Sequence, residues 1–198
     1  MGYKIAWFTE GGWEGRIPRD HPNMRNDVAW MNVLNAFHHP IFKIPEITEQ
    51  YDLGIVTIPK TNVDKLMYFP MVEQMRRFCK KVAFMQEGPY WYFQDYTMEQ
   101  QIWFYNTLME MDAIFAHNDS DVEYFKGLLK KESVYLNKTL MITDNIESHI
   151  VNPDARSGVI IGGNMCRWYG GFDSYIIAQE FGEEIFAPSM GRKIDRED

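Results

Sequence analysis

Two cysteines in 198 residues give no disulfide framework. Cys79 and Cys166 stand too far apart in sequence to suggest a metal site by themselves. No apolar run approaches the ~20 residues of a membrane-spanning helix. Positive charge is scarce as well: 20 Lys and Arg against 28 Asp and Glu leave a net charge of −8. A general nucleic-acid binder needs the opposite balance, because phosphates demand a basic face. The fingerprint G-x-G-x-x-G is missing, which disfavours a nicotinamide or flavin site. Near the start, Lys4 to Phe8 is too short for the apolar core of a signal peptide and reads as a strand. The expectation is a cytoplasmic protein with no membrane span and no nucleic-acid partner.

What the chain does contain is a repeated pattern of apolar run, glycine turn and amphipathic segment. Lys4–Thr9 runs into Gly11-Gly12, and a helical spacing follows from about Met24 to Phe37. Later, Gly158–Ile161 runs into Gly162-Gly163, with Gly170-Gly171 ahead of a second helical run from Asp173 to Phe181. Between them the pattern predicts strands at Ile41–Ile44, Tyr51–Ile58, Lys81–Met85, Asp112–Ala116 and Leu140–Thr143. Helices are expected from Asn62 to about Lys80, divided by Pro70, from the capping box Thr97–Gln100 to about Met109, and from Ser120 onward. A final strand is expected at Glu184–Ala187. Alternation of this kind specifies an α/β class, a doubly wound, mostly parallel, Rossmann-like sheet. Residues 1–152 form the first domain in this reading, and 153–198 form a linker and one βαβ unit of a second, incomplete domain.

In such sheets ligands lie outside the carboxyl ends of the strands. That rule selects Gly11, Gly12 and Trp13 after the first strand, with Arg16 beyond. It also selects Glu87 and the aromatics Tyr90 and Trp91 after the fourth strand, and His117 after the fifth. Glu87 can serve as a general base or stand solvated; His117 can move a proton or make a structural hydrogen bond. Around Gly162, Gly163, Asn164 and Arg167, free amides and a guanidinium ahead of a helix suit a phosphate, though a plain flexible loop fits too. His38 and His39, read as lying on a helix, diverge too far to share a metal ion, and no metal site is expected.

The order of elements resembles the glycosyltransferases of the GT-B fold, which join two Rossmann-like domains and use nucleotide-sugar donors. Gly11-Gly12 after the first strand, the string Met111–Asn118, and the passage from Leu140 through a linker to Val159–Gly163 carry the resemblance. It implies an acceptor-side lobe using Gly11, Gly12, Trp13, Arg16, Tyr90 and Trp91, and a donor diphosphate held by Gly162, Gly163, Asn164 and Arg167. It implies no cofactor beyond the nucleotide-sugar substrate. A second domain of the family needs about another 150 residues, so the chain reads as the amino-terminal part of such an enzyme. The alternative is a non-catalytic α/β ligand-binding or interaction domain, with a homodimer formed through the closing βαβ unit; a nucleotide-dependent oxidoreductase or epimerase is the weakest reading.

Overall fold

The computed structural model describes residues 2–10, 14–17, 26–59, 62–88, 94–130, 134–139, 152–155, 157–162 and 170–187. The chain separates into two compact units, Met1–Ile146 and Glu147–Asp198.

In the first unit the described residues form a six-stranded parallel sheet. Its strands are β1 (Ile5–Thr9), β2 (Phe37–Pro40), β3 (Tyr51–Val56), β4 (Cys79–Met85), β5 (Ala113–Ala116) and β6 (Tyr135–Lys138), in the order β2-β1-β3-β4-β5-β6. Helices α1 (Asn26–Val33), α2 (Val63–Leu66), α3 (Met71–Arg76), α4 (Met98–Met109) and α5 (Asp119–Leu129) connect them. The α/β, doubly wound reading holds. Side chains alternate between two buried layers, as a pleated strand requires. On one face Ala6, Phe8, Val82, Phe84 and Ile114 meet Met75, Phe104, Leu108 and Phe125 from α3, α4 and α5. On the other, Trp7, Ile55, Ala83 and Met85 meet Val28 and Met31 of α1. Strand segments buried on both faces must be nearly all apolar, and β1 and the Val82–Met85 half of β4 read that way.

Pro70 ends the α2 region and stands at the N-cap of α3, as expected of a residue without an amide hydrogen. The capping box at Thr97 and Gln100 forms on both sides. Some expectations change, and one falls outside the described residues. The helix before β2 ends at Val33, and Phe37–Pro40 is the strand, with Ile41–Glu46 forming a 3₁₀ turn rather than a strand. His38 and His39 therefore lie on a strand and face opposite ways, both buried. The last strand of the sheet is Tyr135–Lys138, while the expected Leu140–Thr143 lies outside the described residues. Helix α5 is capped by Asn118, not Ser120.

In the second unit β7 (Val159–Ile160) and β8 (Ile185–Phe186) pair in parallel across α6 (Gly171–Gln179). They form a two-stranded sheet of their own.

Candidate functional site

In the larger sheet, the strand order reverses between β1 and β3. Connections leave in opposite directions there, and a crevice opens at the carboxyl ends. A cavity of about 180 Å³ lies in this region, lined among the described residues by Asn26, Asp27, Thr57, Met85, Gln86, Glu87 and His117. Each comes from the carboxyl end of a strand or from the first turn of α1. Thr57 follows β3, Gln86 and Glu87 follow β4, and His117 follows β5. The structure thus brings together Glu87 and His117, two of the residues singled out from sequence.

A buried polar network holds that pair. Gln86 is 1% exposed and Asp121 3%. The Gln86 amide nitrogen donates to Asp121 Oδ2 at 2.7 Å and to the Gly88 carbonyl at 2.7 Å. Its amide oxygen accepts from the His117 backbone N–H at 3.1 Å, and its own backbone N–H donates to the Phe115 carbonyl at 3.0 Å. One side chain therefore ties the loop after β4 to the loop after β5 and to α5. Asp121 stands in the first turn of α5, where the helix dipole favours a carboxylate. Its backbone N–H is capped by Asn118 Oδ1 at 2.9 Å. A buried network in which each polar atom finds a partner is rigid, because a lost partner leaves a desolvated group unpaired. Glu87 and His117 are therefore presented from a preorganised frame.

The walls of the cavity are set in a similar way. Trp7, fully buried, donates its indole N–H to Thr57 Oγ1 at 3.3 Å. Asp27 Oδ1 accepts the Val28 backbone N–H at 2.9 Å, so the start of α1 carries its own anion.

Other predicted residues lie elsewhere. Arg16 is exposed on the strip Glu14–Ile17, which runs along the outer edge of β2 through paired hydrogen bonds between Gly15 and His38. It does not line the cavity. Gly162 follows β7 in the second unit and is exposed, with room for a Cβ. Gly11, Gly12, Trp13, Tyr90, Trp91, Gly163, Asn164 and Arg167 lie outside the described residues. Asn62 stands at the N-cap of α2 without a side-chain cap bond and donates its side-chain amide to Glu10 Oε2 at the end of β1. Sequence reasoning missed Asp27, Thr57 and Asp121. Their only signal was position, at a helix start or just past an apolar strand.

A separate polar cluster sits at the edge strand β2. Tyr51 donates its hydroxyl to Glu49 Oε2 at 2.7 Å. His39 Nε2, 2.9 Å from the same hydroxyl oxygen, is therefore the donor to it. His39 Nδ1 is left as a buried lone pair without a hydrogen bond, 3.4 Å from Glu14 Oε1. Burial holds the imidazole below its ordinary pKa, and Glu14 opposes that only in part. Nearby, burial alone pushes the Cys79 thiol up to about 12, so it stays neutral.

A larger cavity, about 370 Å³, lies on the helical surface between the Met67–Pro70 turn, α3 and the second half of α4. It shares no residue with the first and receives none from a strand end. Among the described residues, no group of three or more His, Cys, Asp or Glu could hold a metal ion, and no helix is long and apolar enough to cross a membrane. No protein-family model, curated protein or solved structure matches the chain.

Proposed function

We propose that the chain serves a glycosyltransferase, with the first unit as its acceptor-side lobe. The observation that supports this reading best is the convergence of Glu87 and His117 on one cavity at the carboxyl ends of a doubly wound sheet. Glycosyl transfer to a hydroxyl needs a group that removes the hydroxyl proton as the oxygen attacks the anomeric carbon. The bond from that carbon to the donor phosphate oxygen breaks, and the nucleoside diphosphate leaves with the electron pair. Glu87 or His117 takes the proton in this scheme, each on a loop fixed by Gln86. The resemblance assigns the donor diphosphate to Gly162, Gly163, Asn164 and Arg167.

The test is release of nucleoside diphosphate and formation of a glycoside from UDP-, GDP-, ADP- and CDP-sugars. Removing a positioned general base lowers turnover by about 10²–10⁴-fold, so E87Q or H117A is expected to lose that much kcat with little change in donor KM. Unchanged turnover in both variants overturns the assignment of the base. A stable dimer of the chain with no response to any nucleotide favours a second reading, a non-catalytic interaction domain. That reading draws on the exposed Phe172, Ile177, Phe181 and Phe186 of the second unit.

A further inference from the structure

We infer that the larger cavity, between the Met67–Pro70 turn, α3 and α4, docks an arginine side chain presented by a partner protein. The cavity lies apart from the strand-end crevice and shares no residue with it. Its lining residues fall within two runs that the structure describes without a gap, 62–88 and 94–130.

The lining is aromatic and soft. Tyr68, Phe69 and Trp103 bring three rings to it, and Met67 and Met71 bring two thioethers. Tyr68 is 82% exposed, and Trp103 is half-buried. Aromatic side chains and methionine are enriched where proteins meet, and methionine reshapes itself to a partner. The volume, about 370 Å³, lies inside the ~300–1,000 Å³ of sites that enclose a ligand. A long side chain with its flanking backbone fits such a space.

The rim is negative. Glu73 of α3 and Glu110 at the C-cap of α4 both line the cavity and are exposed. Among the described residues neither carboxylate has an ion pair or a hydrogen bond. The cations closest to Glu73 along the chain are engaged elsewhere. Arg76 gives its guanidinium to Asp112 Oδ2 at 3.0 Å and to the Glu110 carbonyl, and Arg77 gives its own to Gln74 Oε1 at 2.8 Å. The carboxyl end of α4 adds partial negative charge beside Glu110.

Arginine answers both features at once. Its planar guanidinium stacks on aromatic rings while its edge donates to carboxylates. A lysine ammonium is a compact, strongly hydrated charge and matches the rim better than the rings. Citrulline has the shape of arginine without the charge, so it matches the rings alone.

The experiment titrates the whole chain with acetyl-Ala-Arg-Ala-amide and with its citrulline counterpart. It is read by the Trp103 indole N–H and the backbone amides of Met67–Glu73 and Trp103–Glu110. At low salt the arginine peptide is expected to shift them and to bind about fivefold more tightly than the citrulline peptide. Salt at about 0.5 M is expected to shrink that gap. Both glutamates are exposed, so E73Q/E110Q folds normally, and it is expected to bring the two peptides within about twofold of each other. Y68A is expected to weaken both peptides. Equal affinity of the unaltered chain for the two peptides overturns the inference, as does an arginine preference that E73Q/E110Q leaves unchanged. Shifts gathering at Gln86–Gly88 and His117 overturn it too, and so does a lack of response to either peptide.

Discussion

The two sheets use the same local grammar and reach opposite results. β1 and β4 are apolar strands feeding helices, and their neighbours bury them on both faces, with Trp7, Phe8, Val82 and Phe84 at most 1% exposed. β7 and β8 also flank a helix, yet Ile160, Phe172, Ile177, Phe181 and Phe186 are each at least 60% exposed. Local pattern forms the strand or helix; only stacking of several such units makes a core. The ligand crevice follows the same logic, because a rigid frame such as Gln86–Asp121 needs strands on either side to hold it. The difference suggests where stability resides and where function can be built.

Core truncation sets the largest contrast. F84A removes a ring packed 5.7 Å from Phe104 and 6.4 Å from Phe125, and should cost about 3–5 kcal/mol in urea unfolding. F186A, at a position 60% exposed, should change stability by no more than about 0.5 kcal/mol. Equal costs would mean that the second unit buries its apolar face in solution. The glycines give a middle-sized contrast. A Cβ on Gly54 would meet Cys79 Sγ at 2.7 Å, with Met75 Cε and Phe8 Cε2 each at 3.1 Å. G54A should therefore cost about 1–3 kcal/mol by overpacking. At Gly162 a Cβ meets nothing within 4 Å, and G162A should be close to neutral. A neutral G54A would show that the β3–α3 contact yields more easily than its packing implies.

The smallest effect concerns pH. His39 has its folded pKa held below the ordinary value of 6.5 by burial. Below that ordinary value the unfolded chain binds the proton more readily than the folded one. Stability contributed by neutral His39 is therefore full above the unfolded pKa and declines as pH falls through the folded one. Wild-type unfolding midpoints should drop on acidification from about pH 6.5, and H39N should flatten that slope. An identical slope in H39N would remove His39 as the cause. E14Q should lower the imidazole pKa further, because Glu14 raises it more than Glu49 does.

Much of the larger sheet was legible because parallel strands buried on both faces leave continuous apolar runs, as in Ile5–Phe8 and Val82–Met85. β2 was not. Its Phe37-His38-His39-Pro40 contains two histidines and a proline, and only its place beside β1 makes it a strand. β6 hid for the opposite reason: at Tyr135–Lys138 it is an exposed edge, which needs no apolar run. At the site, Glu87 and His117 followed from the strand-end rule. Asp27, Thr57 and Asp121 did not, since their roles depend on partners far away in sequence, such as Trp7 for Thr57, 50 positions apart. Arg16 does not line the cavity, because Gly15 pairs with His38 and holds the strip Glu14–Ile17 along β2.

The most direct test of the central claim, that ligand binds at the strand ends, is a backbone-amide shift map. The chain would be titrated with each nucleotide-sugar and with a neutral glycoside. Binding at the strand ends predicts that the glycoside's shifts gather at Asp27, Thr57, Gln86–Gly88 and His117. Shifts gathering instead at Met67–Glu73 and Trp103–Glu110, around the larger cavity, would contradict it.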